Sequence, residues 1–272
     1  MSSGSKSRRS AWKRIPGSRN ARHSCHHNRN TSAVRRTDGG QSREDSLKAR
    51  NVRDWLHLTI GLLVSVIALW LFAGITEDVI NHGSITELDL TVLQWLQARH
   101  TLLGIRIFWA VTLLGSPVFI AVLGVVVARV LARRQQSLVM AGWSVALVGS
   151  ALLERVLKLS IRRPRPDFAA QFLYDSSYSF PSGHAMNSLV AYGMLAYILV
   201  TCWARHRAAQ IAIIVCAALL ILAIGFSRLY LGVHYLSDVA AGFAAGIFWL
   251  SICITGVEVG RASARRSAYR KP

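Results

Sequence analysis

Long apolar runs separated by short polar breaks set the architecture of this chain. A helix needs about 20 mostly apolar residues to cross the hydrocarbon of a bilayer. Runs of that kind occupy residues 55–75, 105–131, 138–157, 185–203, 208–226 and 236–256. They predict an all-α, polytopic membrane protein with six transmembrane helices. The run 105–131 is long for one span and contains Gly115-Ser116-Pro117, which predicts a tilted or kinked helix. Residues 83–100 differ in kind. Ile85, Leu88, Val92, Leu93 and Leu96 recur at helical spacing, with Glu87, Asp89 and Gln94 between them. This pattern predicts an amphipathic helix in the membrane interface, anchored by Trp95 and engaged in simple surface packing. Gly242 and Gly246 form a GxxxG pair in the last span, the spacing that lets helices approach closely in lipid.

The flanks are polar. Residues 1–53 are rich in Ser, Arg, Asn and Gly and hold 14 of the 32 Lys and Arg. They predict a disordered tail. A transit peptide or a nucleic-acid arm has a similar composition. The tail shows no amphipathic period and a span follows at once, so the expectation is a tail resting on anionic headgroups, with no nucleic-acid partner. His23, His26 and His27 are read as incidental. With six spans both tails share one side, and 24 of the 32 basic residues fall there, including the tail at 258–272 and the loops at 129–134 and 205–207. The excess predicts that this side is cytoplasmic, with residues 54–257 as the membrane domain of a plasma (inner) membrane protein. Cys25, Cys202, Cys216 and Cys253 are scattered and show no disulfide framework or zinc spacing.

The remaining basic residues gather on the opposite, outer face with the other unusual polar groups. Lys158 and Arg165 follow the third span; Ser182, Gly183 and His184 open the fourth; Arg228 closes the fifth; His234 and Asp238 open the sixth. His234 and Asp238 are four apart and would share one face of a helix. A carboxylate there fixes the imidazole tautomer and makes a nucleophile or general base. A helix N-terminus at Ser182-Gly183 attracts phosphate through its free N–H groups, and Arg228 supplies a planar cationic fork. One histidine can attack phosphorus while the other protonates the leaving oxygen. A metal site built from His184, His234 and Asp238 is the weaker reading, because three cations beside it would repel a divalent ion. No metal or cofactor is expected. Glu154 precedes Lys158 by four and is expected to pair with it. Arg162 and Arg163 are expected to contact headgroups, and Tyr174 and Tyr178 to lie in a solvated loop. Ionisable groups at one interface rather than at the midplane disfavour a transporter.

Three motifs stand in order: Lys-x6-Arg-Pro at 158–166, Pro-Ser-Gly-His at 181–184 and Ser-Arg-x5-His-x3-Asp at 227–238. Together they resemble the type 2 phosphatidic acid phosphatase (PAP2) superfamily over roughly residues 55–256. The resemblance implies a PAP2/haloperoxidase-like helical bundle and a metal-free lipid phosphatase working through a phosphohistidine. It implies His234 as nucleophile, Asp238 orienting it and His184 as general acid. Lys158, Arg165, Ser182, Gly183 and Arg228 would hold the phosphoryl oxygens. The expected substrate is a lipid phosphate in the bilayer: a prenyl diphosphate such as undecaprenyl diphosphate, phosphatidylglycerol phosphate or phosphatidic acid. The alternatives are a phosphotransferase of the same fold and a non-catalytic lipid-binding or transport protein.

Overall fold

A computed structural model describes residues 58–166 and 178–270. The expectations for the first tail and for Tyr174 lie outside the described residues. Among those described, all regular structure is helical. The helices are α1 (Leu58–Ile80), α2 (Ser84–Gln97), α3 (Leu102–Leu113), α4 (Pro117–Arg133), α5 (Ser137–Ile161), α6 (Gly183–Cys202), α7 (Arg207–Tyr230) and α8 (Leu236–Arg270). Six runs are long and apolar enough to cross a membrane, with α3 and α4 counted as one.

Local chemistry explains the boundaries. The expected kink in the second span is a full break between α3 and α4. Ser116 caps α4 by accepting a hydrogen bond from the Phe119 N–H at 3.2 Å, and Pro117 sits at a first position that needs no donor. The Leu114 carbonyl beside the break accepts the Tyr192 hydroxyl at 2.8 Å. Asp78 at the end of α1 caps α2 by accepting from the Ile85 N–H at 2.7 Å. Helix α5 stops at Arg162, whose backbone turns left-handed (φ 51°) just before Pro164. Helix α8 runs on to Arg270, through most of the stretch expected to be a tail, since no proline interrupts it.

Helix α6 is the hub. In its most apolar stretch 56% is buried, against 11% for α1 and α7, and it packs on α5, α7 and α8. Val118, Trp70, Leu62 and Ile211 point outward, as expected for side chains that meet lipid tails. Lipid is as apolar as leucine, so helix association rests on close approach rather than on expelling water. Gly242 provides it: a Cβ there would lie 2.7 Å from the Ser182 carbonyl oxygen and 3.1 Å from Ala185 Cβ. Gly246 continues the contact one turn on, 3.2 Å from the Met186 oxygen by the same measure. Helix α8 therefore lies directly on the first turn of α6.

Helix α2 departs from expectation. Trp95 is half exposed and Arg99 stacks on its ring at 4.0 Å, as suits an interfacial anchor. Asp89, however, is fully buried, so α2 does more than pack on a surface.

Replacing Gly242 with valine forces α8 away from α6. The expected cost is about 1–3 kcal/mol, the usual range for overpacking. Thermal unfolding in detergent checks it, and a variant as stable as its parent would contradict the close contact.

Candidate active site

The C-terminal ends of α5 and α7 and the N-terminal ends of α6 and α8 meet in one place. Helix α7 ends at Tyr230, and the chain turns through Gly232 at φ 65°, a conformation open to glycine without a steric cost. His234 lies in that turn and not on a helix, contrary to the shared-face expectation. Asp238 is the third residue of α8 and reaches back to cap it. Its Oδ2 accepts from the Tyr235 N–H at 2.9 Å, and His234 Nδ1 faces the same oxygen at 3.3 Å. The two residues thus meet through helix capping. The Ser179 hydroxyl also donates to Asp238 Oδ2 and lies 3.3 Å from His234 Nδ1.

The other face of the imidazole meets a cation. Arg165 donates to His234 Nε2 at 3.2 Å and to the Val233 carbonyl at 3.1 Å. An acceptor at Nε2 and a carboxylate at Nδ1 assign the proton to Nδ1. Burial pushes the His234 imidazole down to about 3, against the opposing pull of Asp238, so the ring is neutral and its Nε2 carries a lone pair, which the Arg165 guanidinium engages.

The other sequence candidates surround this pair. His184, in the first turn of α6, is within electrostatic reach of Arg228, His234, Lys158 and Arg165. Ser182 is the N-cap residue of α6, but its N–H donates to the Asp238 carbonyl at 3.0 Å and is not free for a phosphate. Its buried hydroxyl has no partner among the described residues. Arg228 donates through one terminal nitrogen to Thr112 Oγ1 at 2.8 Å, while its buried Nε has no partner among the described residues. Such groups can be satisfied by a phosphoryl oxygen. Lys158 pairs with Glu154 at 2.9 Å, as expected. The Glu154 carboxylate accepts from Asn187 at 2.5 Å and covers Gly183, where a Cβ would come 2.8 Å from Oε2. The need for glycine there comes from this carboxylate as well as from any ligand. All the candidates named from sequence fall in one cluster.

Sequence reasoning missed the layer behind them. Arg163, expected to reach for headgroups, instead turns inward, with its side chain only 10% exposed. It donates to Asp238 Oδ1 at 2.7 Å, Ser237 Oγ at 2.7 Å and Asp89 Oδ2 at 2.8 Å, and it stacks over the Tyr235 ring at 4.3 Å. Burial opposes the Arg163 charge, but Asp238 and Asp89 outweigh it and hold the guanidinium above its ordinary value. Asp89 also accepts from the Ser237 N–H at 2.8 Å and hydroxyl at 2.5 Å, so a carboxylate on α2 caps the start of α8. Tyr178, expected in a solvated loop, is half-buried, and Ser179 and Phe180 after it are fully buried, so this end of the loop turns inward. Among the described residues no three His, Cys, Asp or Glu are grouped as metal ligands.

Comparison with known proteins shows the family. The sequence model of the PAP2 superfamily matches residues 137–260, which include all three motifs. Phosphatidylglycerophosphatase B of Bacillus subtilis (strain 168) is 43% identical over 96 residues, 35% of this chain and 47% of that protein. The chain therefore spans about half the length of that relative. Decaprenylphosphoryl-5-phosphoribose phosphatase of Mycobacterium tuberculosis (strain ATCC 25618 / H37Rv) is 32% identical over 148 residues, 53% of this chain and 75% of that protein. The crystal structure of a transmembrane PAP2-type phosphatidylglycerolphosphate phosphatase from Bacillus subtilis superposes with a TM-score of 0.65 at 27% identity, covering 70% of this chain and 94% of that one. The chain belongs to the PAP2 superfamily.

A neutral, buried imidazole has a consequence for stability. In the unfolded chain His234 takes up a proton below its ordinary value of 6.5, whereas in the fold it resists protonation down to about 3. Its contribution is complete above about pH 6.5 and declines as the pH falls toward about 3. The thermal midpoint in detergent should therefore drop between about pH 7 and about pH 4, and His234→Gln should flatten part of that drop. An unchanged pH profile in the variant would contradict a neutral buried ring.

Proposed function

We propose that this protein is an integral-membrane lipid phosphatase that removes a terminal phosphate from a lipid phosphomonoester or a prenyl diphosphate. One observation carries the reading: a buried imidazole with a carboxylate on Nδ1 and a guanidinium on Nε2, set among further cations at the N-terminus of α6. The relatives named for phosphatidylglycerophosphate and decaprenylphosphoryl-phosphoribose chemistry support a lipid phosphate as substrate. The outward apolar faces of the bundle suit a lipid whose tail stays in the bilayer while its headgroup enters the cluster. The positive-inside excess supports a plasma-membrane orientation with both tails cytoplasmic and the site on the outer side.

The reaction proceeds in two displacements. Nε2 of His234 attacks phosphorus in line with the leaving oxygen. The N–P bond forms, the P–O bond breaks, and His184 gives a proton to the departing oxygen. Asp238 holds Nδ1–H and balances the positive charge that grows on the ring. Arg165, Arg228, Lys158, the Ser182 hydroxyl and the first-turn N–H groups from Gly183 onward hold the equatorial oxygens, where charge accumulates. Water then attacks phosphorus and gives its proton to His184, the N–P bond breaks, and phosphate leaves. The roles require no metal: positive side chains and helix N–H groups neutralise the phosphoryl charge.

The test is phosphate release from phosphatidylglycerol phosphate, phosphatidic acid and undecaprenyl diphosphate by purified protein. His234→Ala should lose activity by about 10³-fold or more, and His184→Ala by roughly 10²–10⁴-fold, the range for general acid–base groups. EDTA should leave the rate unchanged. A His234→Ala protein of near-normal rate, or strong inhibition by EDTA, would overturn the mechanism. Transfer of phosphate to an added lipid or sugar acceptor in place of release would assign the same chemistry to a phosphotransferase.

A further inference from the structure

Asp89 stands outside the three motifs, on α2, which is not a candidate span, yet it is fully buried beside the proposed nucleophile's partner. Four charged or titratable side chains run in line from it: Asp89, Arg163, Asp238 and His234. Arg163 divides its nitrogens between the two carboxylates, one to Asp89 Oδ2 at 2.8 Å and one to Asp238 Oδ1 at 2.7 Å. Asp238 turns its second oxygen toward His234. The Tyr235 ring under Arg163 fixes the plane of the guanidinium, and Ser237 ties Asp89 to the start of α8.

The charge balance of this line matters. Arg163 alone against Asp238 would draw off the negative charge that Asp238 offers to the imidazole. Asp89 pairs with Arg163 and returns that charge. A buried ion pair is weak evidence of a stabilising role, because desolvation offsets its attraction. Here the pair also sets the direction in which Asp238 points.

We infer that Asp89 is a positioning residue for the reaction: it neutralises Arg163 and so keeps Asp238 oriented and fully charged toward His234. The inference rests on the reading of His234 as nucleophile. Removing the Asp89 charge weakens the hold of Asp238 on Nδ1–H, lowers the reactivity of Nε2 and slows formation of the N–P bond. Substrate contacts are untouched, so binding is preserved.

The experiment is a double-mutant cycle on the full chain in detergent, with phosphatidylglycerol phosphate as probe. Asp89→Asn should lower kcat on the order of tenfold, as expected for coupled neighbours, with KM unchanged. The same substitution in an Asp238→Asn background should cause no further loss. The downfield proton resonance of His234 Nδ1–H, identified by its absence in His234→Ala, should move upfield in Asp89→Asn. Losses that add across the cycle, a change in KM alone, or an unmoved resonance would overturn the inference. If Asp89→Asn does not fold, Ser237→Ala removes one hydroxyl from the same pair and should give a smaller loss of the same pattern; a KM-only effect there counts against the idea equally. An active parent, a dead His234→Ala and an unaffected Asp89→Asn would sink the inference alone. A parent and a His234→Ala protein that behave identically would sink the functional reading, and the inference with it.

Discussion

A carboxylate with no contact with solvent needs a compensating charge and a full set of hydrogen bonds, because the penalty for leaving it bare exceeds the stability of most folds. Asp238 is in that position, and the surrounding structure is arranged to satisfy it. The turn before α8 supplies the Tyr235 N–H and the imidazole, the segment after α5 supplies Arg163, and the segment before α6 supplies the Ser179 hydroxyl. Its own backbone carbonyl receives the Ser182 N–H. Segments far apart in the chain are thus held at one point by the needs of one side chain.

That convergence depends on close helix packing. In lipid the outward leucines and valines of the bundle provide no drive toward association, so contact distance decides which helices touch. Gly242 and Gly246 bring α8 against α6, and the contact falls on the turn that carries Ser182 and His184. The break between α3 and α4 serves the same end from the other side. Thr112 closes α3 next to Arg228, and the Leu114 carbonyl holds Tyr192 of α6.

The spans and the candidate cluster were legible in the sequence for different reasons. Apolar runs longer than a bilayer is thick have few other uses, so the six spans and the extra helix α2 could be read directly. The cluster could be read because its residue types are out of place in an apolar chain and recur at the same end of successive spans. The second layer left no such trace. Asp89 occupies the polar side of an amphipathic pattern, where a solvated carboxylate would look the same. Arg163 sits one residue from Arg162, and only the left-handed turn at Arg162 separates an exposed side chain from one that joins two carboxylates. The pairing of His234 with Asp238 was anticipated for the wrong geometric cause, since four-residue spacing brings a turn residue and a third helical residue together as well as two residues on one face.

The hydrogen bond from Arg165 to Nε2 of His234 has one more consequence. In the proposed reaction the attacking lone pair is sheathed at rest, and something must draw the guanidinium aside before it can act. A phosphate does so by its own charge, and the displaced cation is then already beside the oxygens it has to hold. A neutral electrophile of similar size offers the guanidinium nothing in exchange. Discrimination between anions and uncharged lipids therefore begins before any group has been transferred, as a condition for exposing the blade.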